Sequence, residues 1–515
     1  MSTAIVKPSH SRNEARRSVS SGRQGLTWAL MLPFLFLIVH GQFSFQSGTA
    51  VGGFSPGGVA THDPGVFGYG IAAVSYLMVA WLIQTKLSGV ISLAVHFKIL
   101  TLLALLAMTS AVWSQSPAKS LLYGTLYLIS TLFGYYLVIR FEPEEIMEMV
   151  SRLGILTAVL GLLVVILLPR FGLTHGDARN GEGWQGLFND RTGAAKSFVY
   201  LISPAFIARG KRNTIVWLMS ILLMLAMIYM AHAVTAIFVL FIYLMFLVVL
   251  RVSRRVDSRL QVMALVIGGF LALLAVFIGI EYGAEVLKAF GRNPTLTGRT
   301  AIWRALAISI LKRPLLGYGY FAFWQGIKGE SGRVIYLTHW TFGYAHNGII
   351  EIFLQLGTTG VVLFFITLFK AIKDAWYCFR NDRQGTYDWY VGLVVITIFY
   401  NIDEATVVFP NDLLSVLYVV TCCGLAMGAA RLRREKAQGE TRGLSVVSPS
   451  SGRSHTVFGK YGGSLARSVT NTLRQDLAYL VHVLWTLPLL TLNSSIFGCS
   501  YKNHTYERVH QELLS

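Results

Sequence analysis

The chain has 515 residues, 54% of them hydrophobic and only 13% charged, with a formal net charge of +19 and a mean hydropathy of +0.55. So little charge cannot cover the surface of a water-soluble protein of this length, which excludes that class and places the sequence in a lipid solvent. The positive excess sits in short loops between apolar runs and at the two polar ends, with no basic stripe interleaved by aromatics. Nucleic acid is thereby excluded as the partner, and membrane lipids take its place.

Residues 1–25 carry Lys7, Arg12, Arg16, Arg17 and Arg23 among Ser, Gly and Asn, and read as a disordered basic cytoplasmic arm. The apolar run that follows lacks a small-residue cleavage site and reads as a first span, not a removed signal. Spans of about 20 apolar residues are expected at 26–45, 67–84, 89–113, 121–139, 153–169, 193–209, 214–231, 232–250, 260–280, 348–369, 389–402 and 407–428. The stretch 214–250 is too long for one span and breaks at Ala231-His232-Ala233. The expected fold is an all-α polytopic bundle over 26–430 of about 12 transmembrane helices, with a long outward loop between helices 9 and 10.

Charge supports this threading. With the basic arm inside, Lys86, Arg140 to Arg152, Arg209 to Arg212, Arg251 to Arg259, Lys370 to Arg383 and Arg431 to Arg434 all fall on one side, as the positive-inside rule requires. The expected localisation is a bacterial inner membrane with both termini cytoplasmic. The outward segments are then 46–66, 114–120, 170–192 and 281–347, plus two short turns. The tail 431–515 reads as cytoplasmic and largely disordered, with an apolar run at 477–492, interrupted by Pro488, that suits an interfacial segment. Of the four cysteines, Cys378 is assigned to a polar loop, Cys422 and Cys423 to a span and Cys499 to the tail. Their spacing implies neither a disulfide nor a metal site.

The loop 281–347 carries Lys288, Arg292, Arg299, Arg304, Lys312, Arg313, Lys328 and Arg333 against three glutamates and no aspartate. An anionic ligand or lipid phosphates would each explain that excess. Thr297 suits an N-cap, Lys312 and Arg313 suit a last turn, and Pro314 stops the helix. Ile302, Leu306 and Ile310 share a face with Trp303, so an amphipathic helix lying on the outer membrane surface is expected. Its first turn offers backbone N–H groups beside Arg299, which suits a diphosphate; snorkelling of Arg299 to headgroups is the alternative. Gly317-Tyr318-Gly319 suggests a tight turn with aromatic walls. His346, in Tyr344-Ala345-His346-Asn347-Gly348, meets the membrane boundary, where an imidazole serves as a general base or simply as a helix-entry residue.

The ordered set Thr297-Gly298-Arg299, Trp303, Pro314, Gly317-Tyr318-Gly319, Phe321, His346-Asn347, Glu351, Leu356-Gly357 and Gly360 resembles the O-antigen ligase and polysaccharide polymerase superfamily, nearest to its exopolysaccharide-polymerase branch. The specific part covers roughly 290–365. That resemblance implies a metal-independent inverting glycosyltransferase without cofactors. Its donor would be an undecaprenyl-diphosphate-linked glycan, with a chain-length regulator and export machinery as candidate partners. It further implies Arg299 and His346 as the catalytic pair, with Arg299 and Arg191 on the donor diphosphate. Trp303, Tyr318, Asn347 and His232 would support them, with Trp303, Tyr318, Tyr320 and Trp340 available to stack on sugars. Ligases of the superfamily carry an arginine near the position of Val234; this chain reads Ala231-His232-Ala233-Val234-Thr235, which favours a polymerase and leaves His232 to compensate. A ligase acting on a lipid core or protein, and a transporter or flippase, are the competing readings.

Overall fold

A computed structural model describes residues 65–174, 183–188, 190–207, 214–253, 299–327, 329–338, 343–382, 384–410 and 412–445. The expected spans 26–45 and 260–280, the basic arm, the segment 477–492, Thr297, Gly298 and Trp340 lie outside the described residues. The chain divides into two compact units, Met1–Gly439 and Glu440–Ser515, and the bundle and the site belong to the first.

The helices are α1 (Gly65–Gln84), α2 (Leu87–His96), α3 (Lys98–Thr109), α4 (Pro117–Arg140), α5 (Pro143–Leu167), α6 (Arg191–Ile202), α7 (Thr214–Met230), α8 (Val234–Ser253), α9 (Arg299–Lys312), α10 (Gly329–Thr338), α11 (Gly348–Asn381), α12 (Asp388–Asp403) and α13 (Leu413–Ser445). A two-residue antiparallel pairing, Leu173–Thr174 with Gly183–Trp184, precedes α6. Among the described residues, five helices are long and apolar enough to cross a membrane: α4, α5, α8, α11 and the Leu413–Gln438 part of α13. The pair Ala73–Gln84 and Leu87–His96, bent by 87°, makes a sixth if counted as one broken span.

Local chemistry sets these boundaries. Pro117 and Pro143 each occupy a first turn, where no N–H is needed. A capping box between Glu142 and Glu145 starts α5 ten residues ahead of the apolar run at 153, because charged caps stabilise a helix end that hydropathy does not register. The expected single span 89–113 is instead broken at Phe97, between α2 and α3. The Thr101 hydroxyl donates to the Ala94 carbonyl across that break (2.8 Å), as a broken helix in lipid requires. Close approach is bought by small residues: a side chain on Gly124 of α4 would collide with the backbone of Met108 on α3. Cys378 lies buried within α11, not in a polar loop, since that helix runs on to Asn381.

The basic turns gather at one end of the bundle. Arg251 donates to the Phe206 carbonyl, and Arg433 reaches Asp374 (3.3 Å) while lying over the Tyr377 ring. At the other end, the 110–120 turn and the 314–320 segment are stitched together. Tyr320 N–H donates to Ser110 Oγ, Gln115 N–H to the Tyr318 carbonyl and Ser120 Oγ to the Tyr320 carbonyl.

The decisive feature is a break in α11. Gly357 sits at φ 63° and ψ −163°, outside helical space, so the helix divides into a short half, 348–356, and a long half, 358–381. Such a break strands carbonyls above it and N–H groups below it. The segment 314–319 supplies both sets of partners. Tyr318 and Gly319 N–H donate to the carbonyls of Leu354 and Gln355 (2.8 and 3.0 Å), while Thr358 and Thr359 N–H donate to the carbonyls of Pro314 and Leu315 (2.8 and 3.2 Å). The apolar run that reads as one span from 348 is therefore divided at Gly357 into two helical pieces.

Above the break, α9, α10 and the short half of α11 close a second small core of Ile302, Ala305, Leu306, Tyr318, Phe323, Trp324, Val334 and Leu354. The apolar face of α9 that the sequence assigns to the membrane surface packs into this core. The periodicity marks a buried face correctly, but it does not say against what. Glu330 of α10 joins α9 to α10 by pairing with Lys312 (2.9 Å) and Arg333. Partial burial opposes its ionisation, but the two cations hold its carboxyl below the ordinary value.

A folded-state value below the unfolded one gives stability that is complete above the unfolded value and lost as pH falls through the depressed one. Amide exchange in α9 and α10 should therefore accelerate below about pH 4.3, relative to α11, and Glu330→Gln should remove that difference. At Gly357, a methyl group would face both a disfavoured φ and the Leu315 carbonyl. Gly357→Ala should cost at least about 2 kcal/mol, read as a thermal midpoint lowered by several degrees in detergent.

Candidate functional site

His346 lies in the turn that enters α11, with φ 50°, a left-handed conformation unusual for a residue bearing a side chain. The turn is held from several directions. Asn347 caps α11, its Oδ1 accepting from Ile349 and Ile350 N–H (3.0 Å each), while its Nδ2 donates to the Ile402 carbonyl at the end of α12 (2.8 Å). Gly348 permits this contact, since any side chain there would strike Asn401. The peptide groups of Ala345 are clamped on both sides: its N–H donates to Glu351 Oε2 (2.7 Å) and its carbonyl accepts from Trp303 Nε1 (2.9 Å). Glu351 is 2% exposed and also accepts from Trp324 Nε1 (3.1 Å) and Gln355 Nε2 (2.7 Å). A buried carboxylate with this many donors is a satisfied one.

Glu404, the residue after α12, is 2% exposed and presents Oε1 to His346 Nδ1 at 3.4 Å. That is the outer limit of a hydrogen bond and well inside ion-pair range. The Tyr344 ring lies 4.1 Å from the imidazole centroid. The His346 side chain stays 23% exposed, so the ring is only partly covered. Such an arrangement can accept a proton from a bound hydroxyl while a buried carboxylate steadies the resulting cation.

The other expected residues divide. Arg299 opens α9, the helix whose Trp303 holds the His346 turn, so the backbones of the two are tied by one hydrogen bond. The Arg299 side chain lies outside the described residues. Arg191 opens α6 beside the N-cap Asp190, whose carboxylate accepts Gly193 N–H (2.7 Å). Its aliphatic part lies across Gly183, next to the Ala231 carbonyl, which brings Arg191 to the turn holding His232. His232, at φ 53°, forms part of the tight turn between α7 and α8 with its side chain exposed.

Two of the aromatics expected to meet sugars are buried. Tyr318 and Tyr320 are 4% and 0% exposed, and their hydroxyls donate to the carbonyls of Ser309 (2.7 Å) and Val408 (3.0 Å). They cannot stack on a sugar, because the segment carrying them is inserted into the α11 break. Trp303 spends its indole N–H on Ala345 and supports the histidine turn. The sequence reading missed Glu404 as a partner of His346 and Glu351 as the clamp. An acid in a short turn between apolar runs was the signal for the first; the second was visible only as a member of the motif. Among the described residues, no group of three or more His, Cys, Asp or Glu side chains is placed to hold a metal ion.

If Glu351 holds the turn, Glu351→Gln replaces one acceptor by a donor facing donors. Loss of a buried partner costs about 1–3 kcal/mol, so exchange of the Ala345 amide should quicken about tenfold or more. Unchanged exchange across 343–350 would show that the clamp is not made.

One comparison with known proteins reaches this segment, and others match part of the chain. A family model described as O-antigen ligase matches residues 219–365. The exopolysaccharide production protein ExoQ of Rhizobium meliloti (strain 1021) is 33% identical over 116 residues, 22% of this chain and 26% of that protein. A Rickettsia prowazekii (strain Madrid E) protein named "Putative polysaccharide ligase RP358" is 28% identical over 158 residues, 30% of this chain and 38% of that protein. A counterpart in Rickettsia typhi is 29% identical over 159 residues, again 30% of this chain and 38% of that protein. The chain thus spans between a quarter and two-fifths of the length of these relatives. Residues 219–365, the stretch holding Arg299, the segment inserted at the helix break and the His346 turn, match the model of the O-antigen ligase family.

Proposed function

We propose that the protein polymerises undecaprenyl-diphosphate-linked oligosaccharide repeat units into exopolysaccharide or O-antigen. The reaction takes place on the extracytoplasmic face of the inner membrane, with both termini cytoplasmic. The observation that carries this reading is the partly exposed His346 imidazole, held near buried Glu404 by a turn clamped at Ala345, within the segment matched to the family model.

In this reading an acceptor hydroxyl gives its proton to His346 as its oxygen attacks the anomeric carbon of the donor. The bond from that carbon to the diphosphate oxygen breaks on the opposite face, which inverts the centre. Undecaprenyl diphosphate leaves with the bonding pair, and Arg299 and Arg191 stabilise its growing charge. Glu404 stabilises the imidazolium that forms. His232 stands near Arg191, where the superfamily's ligases place an arginine. A chain-length regulator and export machinery would act on the product. The relatives' printed names include both exopolysaccharide production and polysaccharide ligase, so transfer of a finished glycan to a lipid core or protein is the second reading, with the same residues and a different acceptor.

Arg299→Ala and His346→Ala should each lower product formation by about 100-fold or more at unchanged membrane levels. Glu404→Gln should lower kcat about tenfold or more with KM little changed. Glycans on undecaprenyl diphosphate in a strain lacking the protein discriminate the readings. Accumulated single repeat units mean a polymerase, and long chains stranded on the carrier mean a ligase. Units retained on the cytoplasmic face would overturn both in favour of a flippase.

A further inference from the structure

α9 is apolar on two opposite faces. One face, with Ile302, Ala305 and Leu306, fills the small core. The other presents Ala301, Arg304, Ala307, Ile308 and Leu311 outward, with Ile308 50% and Leu311 77% exposed. Past Pro314 the same surface continues through Leu315 and Leu316, 68% and 41% exposed. A helix lying between a protein core and water carries charge along its outer stripe. This stripe holds one charged residue, Arg304, while the neighbouring Lys312 is turned to Glu330. An outward surface of this composition calls for a cover.

The place where the stripe ends says what covers it. The Pro314 and Leu315 carbonyls accept the first N–H groups of the long half of α11, a helix that as a whole, Gly348–Asn381, is long and apolar enough to cross a membrane. Thr358 and Thr359 add hydroxyl bonds to the same two carbonyls (2.8 and 2.9 Å). Leu315 is thus fixed at the level where that long half begins. Beside it, Trp113 donates its indole N–H to the Leu316 carbonyl (3.0 Å), next to Val112, which is 87% exposed. Tryptophan with a satisfied N–H at the end of an apolar helix is the composition of a membrane interface.

We propose that the outward stripe of α9, through Ile308, Leu311, Leu315 and Leu316, docks into the bilayer interface on the side of the loop. The face that enters the lipid is the one opposite to the face the periodicity marks. Continuity with the end of the crossing helix favours lipid over a second protein chain. Because α9 begins at Arg299, docking would hold the start of that helix at headgroup depth, where a lipid-linked diphosphate lies. This last consequence rests on the reading under Proposed function; the docking does not.

The test is collision depth, measured on the full chain in nanodiscs of phosphatidylethanolamine and phosphatidylglycerol. Nitroxide labels are placed on Leu311→Cys and, separately, Ile308→Cys, in a Cys499→Ser background that leaves the three buried cysteines in place. Phe369→Cys, on the exposed side of the crossing helix, is the lipid reference, and Glu435→Cys is the water reference. Docking predicts an oxygen-to-nickel-chelate accessibility ratio at both α9 sites severalfold above that at Glu435 and approaching that at Phe369. A ratio equal to that at Glu435 would overturn the proposal in favour of water. Protection from both reagents would overturn it in favour of a protein cover. Neither result depends on glycosyl transfer, so failure of the anchor and failure of the proposed activity are distinguishable.

Discussion

The interrupted backbone of α11 is the constraint on which the rest of this end of the bundle depends. A helix in lipid cannot leave four backbone groups unpaired, because each would cost several kcal/mol. The segment 314–319 is the only one described that meets Leu354, Gln355, Thr358 and Thr359, and meeting them fixes its own path. That path places Tyr318 and Tyr320 in the interior and delivers α9 and α10 to the top of the short half-helix. It also leaves the half-helix free to point His346 toward the end of α12. Had α11 been continuous, the 314–319 segment would have lost these four backbone partners.

The small core above the break gives this arrangement its rigidity. Ile302, Leu306, Phe323, Trp324 and Val334 supply the apolar contact, and two polar groups are buried only because they are satisfied. Glu351 collects donors from Trp324, Gln355 and Ala345, while Ser309 is shared between Tyr318, through its carbonyl, and Arg333, through its hydroxyl. The unusual φ of His346 persists because its neighbours over-determine it: Asn347 fixes the residue after it and Ala345 the residue before it.

Much of this was legible from residues alone, and the exceptions have physical causes. Helix ends marked by chemistry could be read: Pro314 after Lys312 and Arg313 stops α9, and Asn347 before an apolar run caps α11. Membrane character followed from composition. The α11 break could not be read, because Leu356-Gly357-Thr358-Thr359-Gly360 is compatible with a continuous span, and its partners lie some forty residues upstream. The same blindness explains the tyrosines, whose burial depends on where the 314–319 segment goes. Glu404 escaped for a similar reason: it is 58 residues from His346, and no local period links a turn acid to a distant imidazole. The capping box of Glu142 and Glu145 shows the converse error, in which hydropathy alone trimmed a helix that its charged caps extend.

Ala345 has a further significance. Its two polar atoms are held by residues from different helices, Trp303 of α9 and Glu351 of α11. One residue thereby acts as a hinge pin shared by the element that begins with Arg299 and the element that follows His346. Drawing the two helices apart means breaking one of these bonds, so the clamp opposes any change in the spacing between them. Under the proposed chemistry, a growing glycan of any size would meet the same gap at every cycle. Adaptation to new sugars would then have to be written in the walls around that gap, leaving its width unchanged.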